Sequence, residues 1–138
     1  MKKLVTILLL LGTSVAWATG PCSDLYISEY LEGSSNNKAL EIYNPTSAAI
    51  NLSGYAIKVY NNGGITPTNT FNFPNKTLAA GDVYVIANSQ AIVSILGVAD
   101  TTGTVTFFIC YYAVFLFKNT DTLDIIGKVG FDPGTNWV

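Results

Sequence analysis

The feature that most constrains the fold is a series of short segments in which apolar and polar residues alternate. Tyr55–Tyr60 (YAIKVY) alternates in this way and is followed at once by Asn61-Asn62-Gly63-Gly64. Alternation puts successive side chains on opposite faces of a strand, and Asn and Gly tolerate the positive φ of tight turns. Because such segments recur about every ten residues, the chain predicts a sandwich or barrel of short strands with one buried face.

The same pattern predicts where most of the strands lie. We predict strands or strand-forming segments at Leu25–Leu31, Ala39–Tyr43, Tyr55–Tyr60, Phe71–Phe73, Lys76–Ala79, Val83–Ala87, Phe107–Phe117 and Thr122–Val129. In the first of these, a period of two predicts that Leu25, Ile27 and Leu31 share the buried face. One short helix is predicted at Ser89–Leu96, with Ser89 as its N-cap. The fold class is therefore all-β, and we expect an antiparallel sandwich.

The N-terminus has the pattern of a secretory signal peptide. Lys2 and Lys3 precede the apolar stretch 4–12, and Ala16-Trp17-Ala18 is a small-x-small cleavage site. The alternatives are a membrane anchor or a buried N-terminal strand, but the apolar stretch falls short of the ~20 residues that a spanning helix needs. We therefore predict a signal peptide at residues 1–18 and one domain at residues 19–138. The product would be secreted, or periplasmic or cell-surface, with no membrane attachment after cleavage.

Charged residues narrow the range of functions. Without Lys2 and Lys3 the chain keeps five lysines against nine acidic residues, a net charge of −4, and it has no Arg and no His. A basic patch of the kind that binds nucleic acid is therefore not expected. Ser-His and Cys-His nucleophiles cannot form within the chain, and imidazole zinc sites are excluded. The sequence leaves open only carboxylate chemistry or a cation held by oxygen ligands.

One cluster of oxygen-bearing side chains is a candidate cation site. Its members are Glu29, Glu32, Asn36 and Glu41. Since Glu29 has the phase of two core residues, we expect it to be buried and to need a partner. The plainer interpretation is that Glu29 accepts hydrogen bonds from the 33–37 loop or pairs with Lys38. We prefer that interpretation, and we predict no catalytic residue, no metal and no cofactor.

Two further features have a structural and a functional interpretation. Cys22 and Cys110 form a candidate disulfide, because an exported chain meets an oxidising environment. The aromatic run from Phe107 to Phe117 would form a core strand, or else a platform for a carbohydrate or a protein partner. We take it as core, since aromatic side chains in strands are most often buried.

A family resemblance adds to these observations. The stretch Ile27–Asn44 (ISEYLEGSSNNKALEIYN) resembles the opening of the bacterial lamin-tail domain, and Ile50–Tyr55 (INLSGY) resembles its next segment. The resemblance implies an immunoglobulin-like sandwich and a non-catalytic extracellular module that binds a protein or cell-surface partner. The alternative that it implies is a truncated N-terminal accessory domain of a secreted hydrolase, of nuclease or phosphatase type.

The chain departs from the family pattern at two places. Ile109-Cys110-Tyr111-Tyr112 stands where the family has a polar, acidic turn, so a hairpin there would lose its Gly and its Asp. The family pattern also continues into another strand after the segment that here ends at Trp137. We therefore expect the sandwich to lack its last strand and to leave a sheet edge open.

Overall fold

The computed structural model describes residues 22–135 and Trp137, so the predicted signal peptide lies outside the described residues. The elements are β1 (Tyr26–Glu32), β2 (Lys38–Tyr43), β3 (Ile50–Asn51), β4 (Tyr55–Tyr60), β5 (Asn69–Asn72), β6 (Thr77–Leu78), β7 (Val83–Ala87), α1 (Val93–Leu96), β8 (Thr101–Thr102), a 3-10 helix (Thr104–Thr106), β9 (Ala113–Lys118) and β10 (Asp121–Ile126). The predictions for β4 and β7 are confirmed to the residue. None of the helices in the described ranges has the length and apolar composition needed to cross a membrane.

Two four-stranded sheets form the body of the molecule. The first sheet has the order β1-β2-β7-β8 and the second has the order β10-β9-β4-β5. All pairs within them are antiparallel except β7 with β8, which is parallel. A two-stranded ribbon of β3 and β6 lies beside them. The prediction of an all-β antiparallel sandwich is confirmed.

The two sheets bury their inner faces against each other. The core combines side chains of both sheets with Phe108 from the loop before β9. Its largest fully buried members are Phe108, Leu25, Leu40, Ile42, Leu52, Ile57, Leu78, Ile86, Leu116, Val59, Val105 and Val114. Each such side chain contributes about 1.5–3 kcal/mol through the removal of apolar surface from water.

A β-bulge in β1 changes which of its side chains face the core. The pairing of Ile27 with Ile42 is followed directly by that of Glu29 with Glu41, so one extra residue, Ser28, lies between them. Beyond the bulge the alternation is reversed. Glu29 is exposed, and Leu31, 40% exposed, lies on the outer face. The predictions that Leu31 shares the core face and that Glu29 is buried are therefore wrong.

A second bulge joins the edges of the two sheets. In β10 the register shifts between Thr122 and Asp124. Asp124 Oδ2 accepts a hydrogen bond of 2.8 Å from the backbone N–H of Ile27, which lies next to the bulge in β1. The carboxylate thus satisfies a donor that the first sheet leaves free at its edge.

The segment after β7 is less helical than predicted. Helix α1 covers only Val93–Leu96, and Ile92 at its N-cap position makes no side-chain cap. The buried Asn88 accepts a hydrogen bond of 2.9 Å from the N–H of Gln90. This Asx turn takes up the residues predicted as the first helical turn, so Ser89 does not act as a cap.

The apolar segment before β9 does form a turn. The N–H of Tyr112 donates to the carbonyl of Ile109 over 2.8 Å. Lys38 Nζ donates to the carbonyl of Phe108 over 2.6 Å, and the Phe108 ring is buried in the core. Tertiary contacts therefore hold a turn that lacks the usual Gly and Asp, and the strand begins only at Ala113.

Candidate interaction surface on the outer face of the first sheet

The outer face of the first sheet carries two carboxylates on neighbouring strands. The register of β1 against β2 puts Glu29 opposite Glu41, which itself lies opposite Val85 of β7. The next row along the sheet is apolar, because Leu31 lies opposite Ala39. Negative charge and apolar surface are therefore adjacent on this face.

The segment that contains α1 packs over the β7 side of the same face. Ile95, Leu96 and Ala99 lie against a small buried cluster of this sheet. Between α1 and β1 a groove of about 160 Å³ remains open. We call it the acidic groove, and its lining residues are Glu29, Leu31, Ala39, Leu40, Glu41, Val85, Ser94, Ile95 and Val98.

The two carboxylates of the acidic groove have no cationic partner in the described part of the chain. The ion pairs found there join Lys38 to Glu32, Lys76 to Asp100 and Lys118 to Asp24. The Glu41 carboxylate instead accepts a hydrogen bond of 2.7 Å from the hydroxyl of Ser28, which carries no charge. Like charges directly opposite each other on adjacent strands are destabilising. The groove therefore presents negative charge that the molecule does not neutralise.

Exposed apolar side chains border the acidic groove. Leu31, 40% exposed, and Val98, 68% exposed, line the groove, and Ile92 and Val93, 55% and 85% exposed, belong to the segment that contains α1. Single exposed apolar residues are ordinary, but a group of them beside a groove is typical of an interaction site. The outer face of the first sheet is therefore a candidate binding surface.

Comparison with known proteins identifies the family. The sequence profile of the Lamin Tail Domain family matches residues 18–127, most of the chain. The chain belongs to the lamin tail domain family. The sandwich is therefore immunoglobulin-like, as the resemblance implied, and the family is non-catalytic. No curated protein matches the chain significantly.

The motif that carries the resemblance has a structural role in this lamin tail domain. Asn44, fully buried at the end of β2, donates from Nδ2 to the carbonyls of Ala48, Leu78 and Ala79. Gly33 allows the β1–β2 loop to close, since a Cβ there would lie 2.7 Å from the carbonyl oxygen of Asn37. These residues fix the strands that present the acidic groove and do not form part of its lining.

The four candidate cation ligands do not converge. Glu29 and Glu41 are on the outer face, whereas Glu32 accepts hydrogen bonds of 2.9 Å from both Lys38 and Tyr30 on the inner face. Asn36 donates to Gln90 over 2.7 Å. Within the described ranges no group of three or more His, Cys, Asp or Glu residues could hold a metal ion. Glu29 and Glu32 lie on opposite faces because they are three residues apart in one strand, and the bulge at Ser28 puts Glu29 rather than Glu32 on the face of Glu41.

The candidate disulfide is not formed in the structure. Cys22 is an exposed free thiol that precedes β1, and Cys110 is a half-buried free thiol in the turn before β9.

The aromatic run divides in a way that neither interpretation predicts. Phe108 is core, while Phe115 and Phe117 lie half-buried on the outer face of the second sheet.

A polar cluster that the sequence did not suggest holds the segment before β1. Asp24 accepts hydrogen bonds from the Tyr55 hydroxyl and, over 2.7 Å, from Lys118 Nζ. Burial alone would raise the pKa of Asp24, but the bonds from Lys118 and Tyr55 outweigh it and lower that pKa. The hydrogen bond from Lys118 to Asp24 raises the pKa of Lys118. Burial, together with the hydrogen bond from Tyr55 to Asp24, raises the pKa of Tyr55. The cluster ties the start of the domain to the second sheet. Its members lie far apart in sequence, so only the fold could reveal it.

Proposed function

We propose that this lamin tail domain is an exported, non-catalytic module that associates with a protein or cell-surface partner through the acidic groove. The observation that carries the proposal is the juxtaposition of two unneutralised carboxylates, Glu29 and Glu41, with exposed apolar side chains such as Val98. A partner that covers this face would remove apolar area from water and bring a cation to the carboxylates.

The sequence supports the non-catalytic part of the proposal. Without His or Arg, the chain cannot form the nucleophile–base pairs or the guanidinium clamps of common hydrolases. Apart from the two carboxylates, the groove is lined by apolar side chains and by a single further polar residue, Ser94. An accessory role beside a secreted hydrolase, the alternative from the resemblance, would use the same surface and stays a prediction.

Export is the second part of the proposal, and it rests on the N-terminal pattern. Lys2 and Lys3, the apolar stretch 4–12 and the Ala16-Trp17-Ala18 site support it. Mass spectrometry of the protein released by cells that express the full chain should give the mass of residues 19–138. Recovery of only the uncleaved chain, inside the cells, would overturn export.

Photo-crosslinking tests the association. A photoreactive phenylalanine analogue is placed at Val98, beside the groove, or at Ile65, which is a matched control because it is apolar and 80% exposed outside the groove lining. In producing cells we expect a discrete cross-linked product from position 98, not from position 65, and its loss in the E29K/E41K background. Equal products from both positions, or none from position 98, would contradict the proposal.

A further inference from the structure

The outer face of the second sheet carries a basic, aromatic surface. The register puts Lys58 of β4 opposite Phe115 of β9, which lies opposite Ile125 of β10. Lys58 Nζ lies 4.3 Å from the centroid of the Phe117 ring, and Ile125 is 49% exposed. We call these four residues the aromatic patch.

The aromatic patch has a cation that the chain does not neutralise. Lys58 takes part in none of the three ion pairs found within the described ranges. Its ammonium group instead rests on an aromatic ring, a contact worth about 0.5–1 kcal/mol at an exposed site. The stacked rings of Phe115 and Phe117, 6.1 Å between centroids, give the patch a flat apolar base.

The aromatic patch and the acidic groove are complementary in charge and in polarity. The patch offers Lys58 and the exposed Ile125, and the groove offers Glu29, Glu41 and an apolar lining with Leu31. Complementary charges of this kind direct association and set its orientation.

The two surfaces of one molecule cannot meet, because they are the outer faces of the two sheets of a sandwich. Sheets that pack face to face lie about 10 Å apart, and their outer faces point in opposite directions. Any complement must therefore come from another molecule.

We propose that a second copy of this chain occupies the acidic groove and that it does so through its aromatic patch. The inference rests on the proposed function, since it names the partner of the same groove. Because each copy uses two different surfaces, the contact is heterologous and propagates head to tail into open chains of molecules.

The size of the surfaces sets the strength of this contact. Even four strands spaced about 4.8 Å apart and each six residues long would cover only roughly 400 Å² of sheet face, and β5, β7 and β8 are shorter than that. Stable interfaces bury about 800 Å² per partner, so a contact of this size is weak. We expect assembly that grows with protein concentration and weakens as salt screens the charges.

Sedimentation velocity on the protein released by cells that express the full chain tests the inference through charge reversal. The wild-type protein should form a concentration-dependent series of oligomers. The groove variant E29K/E41K and the patch variant K58E should each remain monomeric, and E29K/E41K/K58E should assemble again because complementarity is restored. Circular dichroism verifies that each variant is folded.

Two controls match these variants in charge. K128E changes a lysine that also lies over an aromatic ring, Phe131, outside the patch. D82K/D121K reverses two exposed acidic residues outside the groove. Both should assemble as the wild type does.

Three results would overturn the inference: a wild-type protein that is monomeric at every concentration, assembly by K58E equal to the wild type, or a folded triple variant that stays monomeric. If the wild type is monomeric but position 98 still cross-links to another species, this inference fails and the proposed function stands. If position 98 gives no product either, both fail.

Discussion

At the scale of single residues, the buried polar groups decide more of this structure than the charged surface does. Lys38 has a side chain only 10% exposed, and it donates to Glu32 and to the carbonyl of Phe108. These two hydrogen bonds of Lys38 link β1 and β2 to the turn before β9. Described residues with buried side-chain polar atoms all have hydrogen-bond partners, as a uniquely packed core requires.

Removal of Lys38 should destabilise the domain strongly. In K38M the Phe108 carbonyl loses its side-chain donor and the Glu32 carboxylate loses its cation and keeps only the Tyr30 hydroxyl. Loss of one partner of a buried pair costs about 3–5 kcal/mol. Urea unfolding followed by circular dichroism measures the change in the free energy of unfolding. K76M, which breaks the exposed pair with Asp100, should cost much less than K38M, because exposed ion pairs contribute little to stability. Equal losses in K38M and K76M would show that the buried bonds of Lys38 contribute no more than an exposed ion pair.

Asp24 should make stability depend on pH at the acidic end. Its pKa is lowered in the folded state, so its contribution is complete well above the ordinary value of about 3.9 and is lost as the pH falls from that value through the lower pKa of the folded state. The difference in the free energy of unfolding between the wild type and D24N should therefore shrink as the pH falls from about 6 to about 3. A difference that is constant over this range would contradict the assignment.

At the scale of elements, the sequence predicts strands well where local pattern and tertiary context agree. Tyr55–Tyr60 alternates, ends at a strong turn, and is β4 as predicted. The prediction fails at Ser28, because a bulge inserts a residue without any change in local composition. It also fails at Ser89, where the Asx turn of Asn88 replaces a helical turn, and at Phe107–Tyr112, where Lys38 holds a loop of strand-forming residues.

The candidate site was predictable only in part. The sequence singles out Glu29 and Glu41, but only as candidate cation ligands together with Glu32 and Asn36, and it favours a plainer role for Glu29. Their pairing across β1 and β2 depends on the bulge, and the groove exists only because α1 packs over the β7 side of the sheet. No local pattern encodes either contact, so neither could be predicted from the residues alone.

The stability of the domain should depend on the carboxylate of Asp124, which connects the edges of the two sheets. D124A leaves the N–H of Ile27 without its acceptor, and hydrogen bonds to charged groups contribute about 1.5–3 kcal/mol. We expect a loss of this size in the free energy of unfolding, and faster hydrogen exchange at Ile27. D121A, at an exposed position of the same strand, should leave both quantities unchanged. Unchanged exchange at Ile27 in D124A would mean that Asp124 does not join the edges.

At the scale of the whole molecule, the sandwich separates its two charged surfaces. The acidic groove lies on the outer face of the first sheet, and the aromatic patch lies on the outer face of the second. The core between them holds the sheets together, so each surface can bind without a rearrangement of the fold. We therefore propose that the domain is a rigid module that acts through the surfaces it presents.

The most direct test of the account is whether the acidic groove is occupied where the protein works. In a C22S/C110A background, V98C and I65C provide thiols at the edge of the groove and outside its lining, and a membrane-impermeant maleimide labels them in intact cells. We predict rapid labelling at position 65, slow labelling at position 98, and equal rates in the purified protein at high dilution. Labelling at position 98 as fast as at position 65 in the cells, or no labelling of position 65 until the cells are lysed, would contradict the account.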